Sequence, residues 1–338
     1  VFDIPGQYVN DHCVIHDGKL WHLFFIQGVA GGKPGEPSGI NTNNWSRDGN
    51  EVLIGHATSP DLLGWTLHEP ALTCGPAGSL DAGHIYAPFV VRHAGQYWMF
   101  YAATKGRFWT GERLMLATSR DLFRWARHTK EPVFLPDPRW AHYMEPEGDL
   151  VRPAAGRDAH VMRHPEHGFI LYYAGMLNGG PGRPMKDGVF CCIAAATSPD
   201  LVNWRDRGPV LTRGSAGHDT FTYCAPESPC ILRRGELCYI FWKSGSGTRY
   251  VISTNPLDFN DRDGYFLATC HASEIFEWDG RWFITSCSRE LDDIAHERTD
   301  RTKGLYLARI EWDGIWPRVH ALPETVPAMW IVNDLVYL

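Results

Sequence analysis

Apolar and polar positions along the chain return to one phrase five times, an apolar strand, a turn containing glycine, then an aromatic-rich strand. The copies run Cys13 to Gln27, Phe89 to Ala103, His160 to Gly175, Cys230 to Ser244 and Ser273 to Ser288. Short runs rich in Val, Ile, Phe, Tyr and Trp flanking a turn residue are the pattern of β-hairpins, and no stripe of helical period competes with it. Gly18, Gly95, Gly168, Gly235 and Gly280 stand where each turn needs a positive φ.

A second phrase follows three of the hairpins with identical spacing: Ser59, Asp61, Leu62, Trp65; Ser119, Asp121, Leu122, Trp125; Ser198, Asp200, Leu201, Trp204. A degenerate copy, Ser253 to Phe259, follows the fourth. Each predicts a short strand ending in a Ser/Asp turn, after which Leu and Trp return to the core. The fixed place of Asp61, Asp121 and Asp200 beside a turn in every copy reads as turn capping rather than acid catalysis.

A hairpin plus returning strands makes about four strands per repeat, the signature of a propeller blade with variable loops. The expectation is an all-β, five-bladed β-propeller with four antiparallel strands per blade, filling residues 1–338 as one catalytic domain. The tail from Gly304, with the strand-like LYLARIEW, completes the last blade or closes the ring. Long loops, such as Gly28 to Asn50 and Gly175 to Asp187, are placed at one mouth, where binding sites are usually built.

Composition narrows the function classes. The 338 residues carry 32 Lys plus Arg against 39 Asp plus Glu, a formal charge of -7, so no cationic field points to nucleic acid. No apolar run approaches the roughly 18 residues of a membrane-spanning helix, which argues against a membrane partner. The sequence starts at Val1 without a charged head and apolar stretch, which reads as a cytoplasmic chain or one whose leader was removed. Nine cysteines without a CxxC pair read as small buried apolar residues. Sixteen histidines show no HxH pairing, and neither a metal nor another cofactor is expected.

In a propeller the first strand of each blade lines the central channel, so residues just before the apolar anchors Val14, Val90, Val161, Ile231 and Ile275 converge at one end of the axis. Counting back gives Asp11, Asp158 and Glu227 in blades one, three and four, with Tyr86 to Pro88 and His271 to Ala272 in the others. Convergent carboxylates repel unless they share protons or find basic partners, and the arrangement suits glycoside hydrolysis, where one carboxyl protonates the leaving oxygen and another acts as nucleophile or base. His84, His160 and His271 lie near the mouth. Trp45, Trp109, Trp140 and Trp242 are candidates to stack on sugar rings. Glu227, beside the apolar Ile231 strand and near Asp158, is expected to have a pKa raised toward neutrality.

The short pieces Asn10-Asp11, Gly55-His56-Ala57-Thr58-Ser59, Arg157-Asp158 and Glu227-Ser228-Pro229, in this order over Tyr8 to Trp312, resemble the landmarks of the five-bladed propeller glycosidases. These are glycoside hydrolase families 32 and 68 (β-fructofuranosidases and fructosyltransferases) and family 43 (arabinofuranosidases and xylosidases). The Asn-Asp, Gly-His-Ala and Arg-Asp pieces resemble the fructosidase side. The resemblance implies a retaining furanosidase with Asp11 as nucleophile, Glu227 as acid/base and Asp158 as transition-state stabiliser. Asn10, Gln27 and Arg157 would join Trp45, His84, Tyr86, His160, Trp242 and His271 in binding an oligosaccharide or small glycoside. The alternatives are an inverting arabinofuranosidase or xylosidase in which Asp11 activates water, and a propeller that only binds glycans.

Overall fold

The computed structural model describes residues 2, 4, 7–29, 51–106, 111–147, 150–178, 191–212, 226–244, 247–260, 264–287, 304–322, 330–332 and 335–337. Trp45, Trp109 and most of both long mouth loops lie outside them. Among the described residues there is no helix, and the strands form five antiparallel sheets radiating from one axis. The innermost strands are Gln7–His16, His84–His93, Arg157–His164, Glu227–Arg234 and Glu274–Trp278. Each touches the next around the ring, and the fifth touches the first, so the circle is closed. A backbone bridge between Phe2 and Leu305 joins the start of the chain to the third strand of blade five. Leu305–Asp313 and Trp316–Ala321 are the outer half of that blade, and Trp330–Val332 with Leu335–Tyr337 extend the sheet of blade four. A separate hairpin, Tyr143–Glu147 with Leu150–Pro153, stands outside the five blades and was not legible as a repeat.

The core is distributed as slabs between neighbouring blades. Phe24 and Ile54 pack against Met99 and Tyr101 between blades one and two, while Phe100 and Leu116 meet Val161 and Leu171 between two and three. Ile170 and Tyr172 meet Ile240 and Trp242 between three and four, and Tyr239 and Phe241 meet Ile284 and Ala308 between four and five. Trp21 and Leu62 pack with Leu307 to close the last interface. Because strand residues alternate faces, each blade feeds two slabs. Truncating a fully buried plug such as Phe241 would cost about 3–5 kcal/mol.

The repeated Ser/Asp phrase is a turn built three times over. Asp61 Oδ1 accepts from Ser59 Oγ at 3.0 Å and from the Leu63 and Gly64 amides at 2.9 Å each. Asp121 and Asp200 accept the same set in their own turns. Leu62, Leu122 and Leu201 are held at φ of 67, 66 and 67°, and the indole N–H of Trp65, Trp125 and Trp204 donates to the carbonyl of that Leu. In the degenerate copy Asn255 replaces the aspartate and still caps Leu257.

Candidate active site

The inner strands of blades one to four are each broken by a bulge at the same level. Pairing shifts occur between Asn10 and His12, Tyr86 and Phe89, Arg157 and His160, and Glu227 and Cys230. The bulged residues of blades two to four, Ala87, Asp158 and Ser228, have a positive φ, as does Ala272 just ahead of the fifth inner strand, all at 47–57°. Bulges re-aim side chains, and here they turn two or three residues per blade toward the axis. Asp11 and His12, Ala87 and Pro88, Asp158 and Ala159, Ser228 and Pro229, and Ala272 to Glu274 line one axial cleft. Proline is accommodated because a bulge on an edge strand needs no ladder N–H.

The level corrects one expectation about position. Asp11 and Asp158 occupy equivalent bulge positions, but Ser228 holds that place in blade four. Glu227 stands one residue earlier, level with Asn10, Tyr86, Arg157 and His271, which form the ring above the bulges. Of this ring, Arg157 does the most to organise the charges. Its Nη1 donates to Glu112 Oε2 at 2.9 Å, its Nη2 donates to Glu227 Oε2 at 3.1 Å, and its Nε lies 3.5 Å from Asp158 Oδ2. Lys243 Nζ donates to Glu227 Oε1 at 2.8 Å, and Tyr86 Oη donates to Glu112 Oε1 at 2.8 Å. Ser228 joins the two aspartates: its amide donates to Asp158 Oδ2 and its hydroxyl to Asp11 Oδ1, both at 3.0 Å. His271 Nε2 is 3.9 Å from the same Asp11 oxygen.

Three carboxyl groups, on Glu112, Asp158 and Glu227, thus share two full cations, Arg157 and Lys243, with Asp11 across Ser228 from Asp158. With both oxygens on cations, Glu227 has its pKa held down at about 2 despite the opposing effect of burial, which reverses the expectation of an upward shift. Asp158 goes the other way. Burial drives its pKa well above the usual carboxylate range, and the Asp11 and Glu227 charges add to the push against the opposing pull of Arg157. His12, buried beside them with Nε2 2.8 Å from Thr285 Oγ1, is kept neutral by desolvation, its pKa lowered to about 3.

The remaining expected site residues divide. Asn10 is buried in the ring with Oδ1 accepting from Cys287, and His84 starts the inner strand of blade two above Tyr86. His160 does not line the cleft; it lies two residues below the bulge, facing Glu274. Gln27 is on the second strand of blade one, where its amide donates to Gln7 at 2.5 Å. Trp242 is a core residue between blades three and four, 1% exposed, so it offers no face to a ligand. Trp140 is bonded through its indole N–H to Asp206 at 2.8 Å and packs on Gly175, which fixes it within blade three. His56 is structural, stacked on Phe24 and bonded to His22 at 2.9 Å. Glu112, Lys243 and Ser228 had not been assigned a role. Glu112 immediately precedes the third strand of blade two, Lys243 lies on the second strand of blade four, and the one sequence signal was a lysine closing the apolar run Tyr239 to Trp242.

No family model matches the chain, and no curated protein sequence does. Solved structures do. An α-L-arabinanase of Cellvibrio cellulosa, complexed with arabinohexaose, aligns over 94% of this chain and 96% of its own at 17% identity and a TM-score of 0.60. An exo-1,5-α-L-arabinanase from a bovine ruminal metagenomic library aligns over 95% and 100% at 16% identity and 0.63. A family-43 β-xylosidase/α-arabinofuranosidase from a compost metagenome, complexed with xylotriose, aligns over 94% and 96% at 13% identity and 0.64. The fold is the five-bladed propeller of these glycoside hydrolases. At such identities the likeness is one of fold, and this propeller's chemistry has to be argued from its own axial cleft.

Proposed function

We propose that this propeller is a glycoside hydrolase that cleaves arabinofuranosyl or xylosyl linkages by direct, inverting attack of water, the family-43 type of reaction. The observation that carries the reading is the axial cleft, where Asp11 and Asp158 converge on one serine with Glu227 held beside them. Like charges packed this closely are costly, and a scaffold that only bound glycan would gain nothing from keeping them. The retaining fructosidase reading rests on short sequence pieces alone. Similarity of fold to arabinanases and a xylosidase supports the pentose-acting alternative instead.

The groups divide the work by what each oxygen touches. Asp11 faces the cleft, steadied by the Ser228 hydroxyl, and takes the proton from the attacking water. Glu227 has both oxygens engaged by Lys243 and Arg157, so in the resting site it is a fixed carboxylate that stabilises the positive charge developing on the sugar ring. Asp158 accepts the Ser228 amide on one oxygen only, which leaves the other available to deliver a proton to the leaving oxygen. This exchanges the roles that the sequence resemblance gives to Glu227 and Asp158.

The test is a panel of nitrophenyl α-L-arabinofuranoside, nitrophenyl β-D-xyloside, 1,5-linked arabino-oligosaccharides, sucrose and fructo-oligosaccharides, with the first-formed anomer followed by NMR. Turnover of the pentosides with inverted product is the expected result. Turnover of sucrose alone with retention would restore the fructosidase reading, and no turnover on any would remove the enzymatic one.

A further inference from the structure

Two residues below the bulges, the inner strands bring another level of side chains together: Cys13, Phe89, His160, Cys230 and Glu274. Three of them, from blades three, four and five, offer one donor atom each, and the atoms of His160, Cys230 and Glu274 lie within 4.8 Å of one another. His160 and Cys230 are buried, and the Glu274 side chain is 16% exposed where it reaches the cleft above. His160 Nε2 and Glu274 Oε2 are 3.4 Å apart. That is long for a charge-assisted hydrogen bond, which closes to about 2.7–2.9 Å. It is the separation of a nitrogen and an oxygen bound to one tetrahedral ion, since bonds of about 2.0–2.2 Å at a tetrahedral angle place the two ligands about 3.4 Å apart.

We propose that His160, Cys230 and Glu274 form a zinc-class metal site on the propeller axis, directly beneath the cleft. The donor set decides the metal. A thiolate and an imidazole suit zinc and its soft neighbours, whereas a hard ion such as calcium takes six to eight oxygen ligands that this level does not supply. The ligands are already oriented. The Ile275 amide donates to Cys230 Sγ at 3.3 Å, the type of outer contact that steadies a bound thiolate. The ring of Phe89 lies 4.2 Å from that of His160 and holds the imidazole in place. His160 Nδ1 is buried without a hydrogen-bond partner, so no protein group competes for a tautomer that leaves Nε2 free to bind. Glu274 also lines the cleft, so the fourth coordination position opens upward and takes a water.

The site would fasten three blades at the point where they meet, and it is independent of which sugar the cleft accepts. The experiment uses the whole chain, made without an affinity tag of histidines, loaded with zinc and then dialysed; bound metal is measured by mass spectrometry. One zinc per chain is expected, with melting temperature lowered by chelation and restored by zinc but not by calcium. Replacing zinc by cobalt should give an intense near-ultraviolet thiolate-to-cobalt band. Cys230→Ser should abolish that band. Glu274→Gln is the second variant, chosen because it keeps shape and the thiol: it should lower zinc affinity at least about tenfold while leaving the β-sheet circular dichroism unchanged. Less than about a tenth of an equivalent of zinc in the folded wild-type chain, or a cobalt spectrum indifferent to Cys230→Ser, would overturn the site.

Discussion

Aspartate occurs at two sets of equivalent positions in this ring, and the two sets have opposite characters. At the outer turns Asp61, Asp121 and Asp200 make the same hydrogen bonds in every copy, beside a leucine with the same strained φ. At the axial level the equivalent places hold Asp11, Ala87, Asp158, Ser228 and Ala272, three residue types among five blades. The outer set is identical because each blade has the same architectural need, to reverse the chain and return a Leu and a Trp to the core. The inner set differs because five blades contribute to one cleft, and a reaction needs unlike groups on unlike sides. In a ring of repeats, agreement between copies marks construction and disagreement marks chemistry.

The largest effect that could break this contrast is at the axis. Asp11→Ala should lower kcat by about 10³-fold or more, with the melting temperature nearly unchanged, because the group acts mainly in the transition state. A variant that kept activity would remove the axial aspartate from the chemistry altogether. Next come the two carboxyls whose roles the hydrogen bonds exchange. Asp158→Asn should lose about 10²-fold or more on oligosaccharides and much less on nitrophenyl glycosides, whose leaving groups need little protonation. Glu227→Gln should lose activity on both alike; leaving-group selectivity in Glu227→Gln and not in Asp158→Asn would return the proton-donor role to Glu227.

Asp121→Ala tests the other half of the contrast. Loss of a turn cap should cost about 1 kcal/mol of stability, read as a lower denaturation midpoint, with kcat/KM within about twofold of wild type. A further test is in pH dependence. His56 is held neutral by burial, then by His22 and His68, with its pKa lowered to about 3. The unfolded chain binds a proton there below about 6.5 and the folded one does not, so this contribution is complete above that pH and is lost progressively toward pH 3. Melting temperature should fall between pH 7 and pH 5, and His56→Gln should flatten that slope.

The blades were legible because a hairpin declares itself locally, through period-two patterning around a glycine, and the five glycines at the turns do have positive φ. The convergence of Asp11 and Asp158 followed from counting back equally from Val14 and Val161. Glu227 was counted one place differently from Ile231, and the structure gives that place a meaning, the ring above the bulge. What could not be read was which cations face Glu227. Arg157 approaches it from blade three and Lys243 from the facing strand of its own hairpin, and together they reverse the direction of its pKa shift. Trp242 was misplaced for a related reason: near a strand end, only the register tells whether a side chain turns to the mouth or into the slab between blades.

That register depends on a single extra residue in each inner strand of blades one to four. The bulge works like a shifted reading frame: above it and below it, the alternation of faces runs in different phases, so that one strand can present charge to the ring and still bury Val14, Val161 or Ile231 lower down. A substitution at Asp11, Ala87, Asp158 or Ser228 edits one letter and leaves the phase alone. Deleting one of them would invert every side chain on one side of the break, driving apolar residues into the channel and charges into the slab. The channel is therefore open to chemical revision by point substitution but closed to revision by insertion or deletion, and new specificities on this scaffold would have to arrive one exchanged side chain at a time.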